Sequence, residues 1–530
     1  MNNYIKNTPF NSVILLAIPL LLSAFTHLWN PIGFPSVYRD EDHYMRKAMH
    51  ILNGLGSQEG SNDLISVLSQ PYDHPYFGPL LLSAILGLVG YPDSLAPSSN
   101  IHSIQMLYLV PRVLIGLLAI LDTFLIYKIA QYRYNMTVAL IASMLFAVIP
   151  STWLLRRIWL EPIQLPFLLL SILFALYYTK AFARGNNAFL DNNKRSILLI
   201  LLSGIFLGLA IFTKIPAFTM IPLIVFIITA HKSKRRNLRY TGLWLIPVIL
   251  IPAIWPMYAI SIGEFDKWSG GVLWQTTGRI DIPLWNALNV FFVIDPVILL
   301  LGIAGLIFAT IKRDFIFLLW VIPFLILLQV LGYVSYWFFI PILPAFCLGA
   351  AILIEGLLQK IRNKGFLRVS PFVIVSGIVV FSLVNWSMLV NTDLNSFHFG
   401  VVVFIARQVE DFAGDKNNNV NDKITVLGNN FWLWIPKYVI DKYHENDYKN
   451  FYAKGKIQTE KILFVAGENF LNDMVRGNRT RENISELNRL YNNSHIITTM
   501  EEKMKNSAEV YRIIDLDPKG IKKVEMRSNY

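Results

Sequence analysis

The stretch PYFGPLLLSAILGLVGYP, residues 75–92, decides how this chain is threaded. It is apolar but short, and prolines and glycines crowd both its ends. About eleven other apolar runs approach the length that crosses a bilayer. They lie near residues 12–29, 104–127, 137–154, 163–179, 197–212, 216–230, 242–260, 289–310, 315–334, 337–357 and 371–390. Take the amino terminus as cytoplasmic and 75–92 as not spanning. Then the loops YKIAQYR (127–133), KAFARGNNAFLDNNKR (180–195), HKSKRRNLR (231–239), KRD (312–314) and QKIRNKGFLR (359–368) all fall on the cytoplasmic side. That is where short basic loops belong. If 75–92 spanned, every one of them would turn outward. The segment is therefore expected to lie along the outer surface as an interfacial helix. The odd number of spans leaves everything after residue 390 outside.

Composition points the same way. The chain is 54% hydrophobic and only 15% charged, with a mean hydropathy of +0.46. A soluble globule, near 25% charged, has far more polar residue to cover its surface. The net charge of +12 reports loop topology, so no nucleic-acid partner is expected. Cys347, the single cysteine, sits in an apolar run and supports neither a disulfide framework nor a cysteine-based metal site. The first run has little positive charge before it and no small-residue cleavage signal after it, so it reads as a retained helix. The expected fold is an α-helical polytopic membrane protein with a small C-terminal extracytoplasmic α/β domain. Residues 1–392 would form the membrane domain, with a long external loop at 30–103, and residues 393–530 the soluble domain. In that tail KITVLG, KILFVAG, HIITTM and AEVYRIIDL read as strands between helix-like stretches. Sequons at Asn478, Asn483 and Asn492 suit an external surface.

The outer face collects charges that need a reason. SVYRDEDHYMRKAMHILNG (36–54) places Asp40, Glu41 and Asp42 just past the first span, ahead of a short helix with Tyr44 and Ala48 at helical spacing. External acids cost nothing by themselves. A carboxylate held at the bilayer boundary can also act as a general base toward an acceptor hydroxyl. In STWLLRRIWLEPIQLPF (151–167), Arg156, Arg157 and Glu161 crowd a short external turn, a better fit to a phosphate site than to one snorkelling anchor. Lys214 is the only charge between two apolar runs. Arg112 opens the second span from outside, and Arg279 lies in the external loop WQTTGRIDIPLW (274–285). Outward bases run against the topological trend and call for an anionic partner. Asp122 and Asp295 lie within spans. They read as structural, Asp122 pairing with Lys128 and Asp295 as a kink or helix start before Pro296.

In this order the motifs resemble the polyprenyl-phosphate-sugar glycosyltransferases of the GT-C superfamily, and within it the protein O-mannosyltransferase and lipid A aminoarabinose transferase family. RDEDHY (39–44) is similar to that family's DE-containing first loop, and DHPYFGPLL (73–81) to its His/Lys-Pro-Pro-Leu surface segment. VPRVLIGLLAILDTFLIYKIA (110–130) resembles its Arg-led second span, and RRIWLEP (156–162) its Arg-then-acid second external loop. GIFLGLAIFTKIPAF (204–218) resembles Gly-Leu-Ala-x-x-x-Lys, and SYWFFIPILPAFCLGAA (335–351) resembles Tyr-x-x-x-Pro-x-x-Pro-Ala. The resemblance covers roughly residues 10 to 390. It departs in HPYF, where two prolines are usual, and in Glu161, where Asp is frequent.

The resemblance implies a sugar transferred from a polyprenyl (dolichyl-type) phosphate to a protein, glycan or lipid acceptor on the outer face, with inversion. Asp40 is then the base, with Glu41 beside it, while Asp42 is left as solvated charge. Tyr44, His74 and Lys214 match positions near the lipid phosphate, and Arg156 with Glu161 the second-loop pair. Arg279 and Tyr336 are positional matches. No metal-ligand set can be read, and a divalent cation stays open as a cofactor. Neither the sugar nor the acceptor is legible. A transporter or lipid flippase is the main rival. It predicts broken helices at the midplane and two related halves, whereas the runs here read as mostly clean. The oligosaccharyltransferase branch would carry a Trp-Trp-Asp triplet, which NNFWLWIP (429–436) lacks. A sensor built on the external domain would leave the outward bases unexplained.

Overall fold

The computed structural model describes residues 9–54, 72–96, 100–184, 191–229, 234–277, 282–362 and 370–414. In the tail it describes residues 424–428, 435, 443–447, 462–466, 495–504 and 507–516. Arg279 and the three sequon asparagines lie outside the described residues. The chain forms two compact units. One comprises Met1–Pro31, Tyr72–Gly78 and Arg112–Thr392, the other Ile32–Pro71, Pro79–Pro111 and Asp393–Tyr530.

The apolar runs are helices. In chain order α1 is Pro9–Leu28, α2 Arg39–Leu52, α3 Phe77–Leu88, α4 Ile101–Arg133 and α5 Met136–Val148. Next come α6 Leu160–Arg184, α7 Asp191–Thr213, α8 Ile221–Thr229, α9 Lys234–Ser261 and α10 Phe265–Thr277. Then follow α11 Leu284–Ile294, α12 Pro296–Ile311, α13 Ile316–Leu331, α14 Leu343–Arg362, α15 Ser370–Val390 and α16 Ser396–Gly414. Among the described residues five helices are long and apolar enough to cross a membrane, or up to seven if each bent pair counts as one span. The chain is a membrane protein. α3, with 12 residues, rises about 18 Å, well short of a hydrocarbon core of about 30 Å.

Two runs that read as clean spans are broken. α5 meets the 3-10 turn Pro150–Arg156 at 68°, and α11 meets α12 at 113°. Each break falls at a proline, whose ring bars the preceding residue from helical geometry. Ile149 before Pro150 is extended, and Asp295 before Pro296 leaves the helical region. Asp295 caps α12 by accepting from the Ile298 amide at 3.1 Å, and also accepts from the amide and hydroxyl of Ser151. The helix-start role read for Asp295 is therefore visible. The pairing read for Asp122 is not made. Its two buried oxygens have no hydrogen-bond partner among the described residues, and Lys128 turns instead to Gln131 and the rings of Phe124 and Tyr127.

Small residues let helices approach in the first unit. A Cβ at Gly204 would sit 2.5 Å from the Trp244 carbonyl oxygen, and one at Gly305 only 2.2 Å from the Gly349 carbonyl carbon. Such close crossings of α7 with α9 and of α12 with α14 are the usual means of association where lipid is as apolar as leucine.

In the second unit α2 buries Tyr44, Met45, Ala48 and Met49, the stripe of an amphipathic helix. Asn395 ties the entry to α16 to the segment before α2. Its side-chain amide donates to the carbonyls of Ile32 and Pro35, and its oxygen accepts from the Val37 amide at 2.7 Å. The tail carries a five-stranded sheet in the order β2-β1-β3-β5-β4, with β1 Ile424–Gly428, β2 Tyr443–Asp447, β3 Ile462–Ala466, β4 His495–Met504 and β5 Ser507–Leu516. β1 pairs in parallel with β2 and β3, while β5 runs antiparallel to β3 and β4.

Candidate functional site

The first unit holds a cavity of about 210 Å³ lined by Asp73, His74, Glu161, Gln164 and Lys214 among others. Its Lys214 side is built by a helix break. α7 stops at Thr213, Lys214 is extended (φ −154°, ψ 122°), and Pro216 opens a 3-10 turn over Ile215–Met220. Across the break the Ala210 oxygen still accepts from the Lys214 amide at 3.0 Å and the Lys214 oxygen from the Ala217 amide at 3.2 Å. Gln164 of α6 adds a second donor to each, at 3.0 Å to the Ala210 oxygen and 2.6 Å to the Lys214 oxygen. Lys214 is thereby fixed in a conformation its own sequence only permits.

The Lys214 ammonium pairs with Glu161 and lies 4.4 Å from the centroid of Phe338. Glu161 stands in the first turn of α6, where the helix N-terminus favours a carboxylate. Both side chains are nearly out of solvent, at 9% and 3% exposure. Such a pair is weak evidence for stability, because desolvation offsets much of the attraction. Asp73 and His74 also line the cavity, with the Asp73 carboxylate accepting from the His74 amide at 2.7 Å. Phe324, Leu327, Leu328 and Leu331 of α13 form an apolar wall, with Val272, Gln275 and Thr276 of α10 also lining the cavity.

α10 is held by the segment before α3. Tyr72 donates to Glu264 at 2.8 Å, Glu264 accepts from Lys267 at 2.7 Å, and Gly271 allows the Tyr72 backbone to approach. The Lys267 hydrogen bond, against the effect of burial and helped by Tyr72, holds the Glu264 carboxyl below its usual range. Burial first, then Glu264, pushes the Tyr72 phenol up.

Of the residues expected in a site, His74, Glu161 and Lys214 meet in this cavity. Arg156 is directed elsewhere. Its guanidinium donates to the carbonyls of Thr26, Trp29 and Asn30, closing the C-terminal end of α1. Arg112, also buried, donates to the Pro31 carbonyl at 2.8 Å. Arg157 lies between the rings of Trp153 and Trp159, and Tyr336 begins a 3-10 turn beside Trp337. Gln164 was not anticipated, although a lone amide inside an apolar run is itself a signal.

In the second unit the three acids share the first turn of α2, where the helix dipole favours them. Asp40 is half-buried, and the Glu41 carboxylate accepts from the Tyr38 amide at 3.0 Å. Asp42 corrects its reading as solvated charge. It is 1% exposed and accepts from the Tyr108 hydroxyl at 3.2 Å, because α4 supplies a partner from far along the chain. Tyr44 is buried against His43. Among the described residues no three His, Cys, Asp or Glu side chains converge as a cation site.

Residues 69–264 match the family model of dolichyl-phosphate-mannose-protein mannosyltransferases. No curated protein matches the sequence. The fold is similar to ArnT from Cupriavidus metallidurans, solved in the apo state and bound to undecaprenyl phosphate. Identity is 12% and 11%, TM-scores are 0.55 and 0.54, and in both the match covers 96% of this chain and 98% of that one. It is also similar to the archaeal oligosaccharyltransferase AglB from Archaeoglobus fulgidus, solved with an inhibitory peptide and a dolichol-phosphate. That match has 12% identity and a TM-score of 0.50, and covers 86% of this chain and 69% of that one. Against another structure of an oligosaccharyltransferase from that organism the chain spans 64% of its length. The chain has the GT-C fold.

Proposed function

We propose, with the GT-C glycosyltransferase fold as premise, that this chain transfers a sugar from a polyprenyl phosphate to an acceptor hydroxyl at the outer face of the membrane. The observation that carries the reading is the cavity in which the buried Lys214–Glu161 pair heads an apolar wall. A lipid phosphate has that division, an anionic head on a hydrocarbon chain. Isoprene units suit the Phe324, Leu327 and Leu331 wall of α13, and the phosphate suits Lys214 and His74. The acceptor oxygen forms a bond to the anomeric carbon as the bond from that carbon to the phosphate oxygen breaks. The electron pair leaves with the phosphate, where Lys214 stabilises the growing charge. Asp40 takes the acceptor proton as general base, as its match to the family's first loop implies. One base and a good leaving group suffice for inversion, without the paired carboxylates of a hydrolase. The match to a mannosyltransferase family model supports mannose as the first donor to test and a protein as the first acceptor.

The test is transfer from labelled polyprenyl-phosphate mannose in membranes carrying wild type or Asp40→Asn. Loss of roughly 10²–10⁴-fold in rate is expected for a missing general base. Normal kinetics in Asp40→Asn would remove that residue from the chemistry. A reporter fused at the carboxyl end tests the orientation, with an extracytoplasmic signal expected and a cytoplasmic one refuting it.

A further inference from the structure

Beside the Lys214 side of the cavity the first unit contains a closed circuit of rings that lipid-phosphate binding does not use. The Arg157 guanidinium carbon lies 5.0 Å from the centroid of Trp153 and 5.2 Å from that of Trp159. Trp159 meets Trp337 at 5.1 Å, Trp337 meets Tyr336 at 5.1 Å, and Tyr336 returns to Trp153 at 6.5 Å. Phe338 joins the circuit to the cavity, 6.1 Å from Trp337 on one side and 4.4 Å from the Lys214 ammonium on the other. The elements supplying these rings are the bent turn Pro150–Arg156 with the residues that follow it, and the 3-10 turn Tyr336–Ile342. Both are departures from regular helix, which costs backbone hydrogen bonding unless it aims side chains.

Burial separates the members. Trp159 and Arg157 are buried, at 1% and 4% exposure, whereas Trp153, Tyr336 and Trp337 each remain partly open. A lipid-facing belt would not hold a guanidinium between two indoles. The buried pair anchors the set by cation–π contact, and Trp153, Tyr336 and Trp337 keep part of their surface open. Rings with an apolar face and a polar edge match a pyranose, whose axial C–H groups form an apolar face and whose hydroxyls ring the edge. In the donor the sugar is bonded directly to the phosphate, so a sugar subsite has to adjoin the Lys214 end of the cavity. Phe338 provides that adjacency.

We propose that Trp153, Tyr336 and Trp337 form the sugar subsite of the donor, stacking on the C–H face of a pyranose, with Arg157 as the positioning residue that fixes the two indoles beside it. This rests on the polyprenyl-phosphate reading above, and the two are separated by measuring binding of the lipid with and without its sugar. The probes are polyprenyl phosphate, polyprenyl-phosphate mannose and polyprenyl-phosphate glucose, titrated into the purified full chain. Wild type is expected to bind at least one glycosylated lipid about ten-fold more tightly than the bare lipid phosphate. Trp153→Leu is expected to bring that ratio to within about two-fold while the Kd of the bare lipid stays unchanged. Trp153→Phe, which keeps a smaller ring and tests the same point if the leucine variant does not fold, should fall between them. The subsite is overturned if wild type shows no sugar-dependent gain, or if the tryptophan variants keep the ratio. It is also overturned if both lipids weaken in parallel. If wild type binds none of the three lipids, the donor reading itself falls and the subsite falls with it.

Discussion

Replacing Lys214 with methionine, and separately Glu161 with glutamine, should move lipid binding in opposite directions. The two side chains are paired and 9% and 3% exposed, so each variant strands a buried polar partner. Breaking such a pair from one side costs about 3–5 kcal/mol of stability, and both variants should therefore lower the unfolding midpoint. Binding separates them. If Lys214 receives the phosphate, its removal deletes a charge-assisted hydrogen bond of about 1.5–3 kcal/mol, which raises the Kd for polyprenyl phosphate roughly 10- to 150-fold. Glu161 competes with the phosphate for the same ammonium and repels it. At about 5 Å and an effective dielectric near 20 that repulsion is about 3 kcal/mol per unit of phosphate charge. Glu161→Gln should then bind the lipid phosphate several-fold more tightly, despite being less stable. The assay is titration of polyprenyl phosphate into purified protein, with thermal unfolding run in parallel. Equal midpoints lost with both affinities within two-fold of wild type would make the pair purely structural and would refute the phosphate assignment.

Three further outcomes follow from the geometry. Gln164→Leu removes the second donor from the Ala210 and Lys214 carbonyls, each of which keeps a backbone amide, and should cost about 0.5–1.5 kcal/mol per lost hydrogen bond, seen as a lower unfolding midpoint together with weaker lipid binding; an unaffected midpoint would show that the break holds itself. Gly305→Ala drives a Cβ into the Gly349 backbone and should destabilise by about 1–3 kcal/mol, measured by thermal unfolding in detergent, whereas no loss would mean α12 and α14 separate freely. The Glu264 carboxyl is held below its ordinary value, chiefly by Lys267, so the native state favours its charged form. Its contribution is present above the unfolded value and is lost as pH falls through the lower folded one. The unfolding midpoint of wild type should accordingly drop more steeply on acidification than that of Glu264→Gln, and parallel curves would dismiss the Tyr72–Glu264–Lys267 link.

Much of the helical framework was legible because it is local. Every apolar run corresponds to a helix or a bent pair, since hydrophobicity and length are properties of contiguous residues. Asp295 before Pro296 read as a kink or helix start, whereas the bend at Pro150 was not anticipated, and both angles depend on what Ser151 and Asp295 find across the fold. The strands β1, β3, β4 and β5 fall on four apolar runs, while β2, YHEND, has no alternation to reveal it and sits at a sheet edge. At the candidate site Lys214 stood out as an isolated charge, yet its partner Glu161 lies 53 residues earlier, and no spacing rule joins the two. Asp42 was misread because its partner is distant in the chain. Hydrophilic character says that a group needs a partner, and only the fold decides whether that partner is water, a phosphate, the Tyr108 hydroxyl or the end of a helix.

The clamp that Arg156 places on the last turn of α1 has a consequence in time. The Asn30 carbonyl accepts from a donor 126 residues downstream. At ordinary elongation rates of about 5–20 residues per second, that interval is roughly 6 to 25 s. Through it α1 is already made while its carboxyl end lacks the Arg156 guanidinium. A nascent chain stalled before Arg156 would carry a first helix without that clamp.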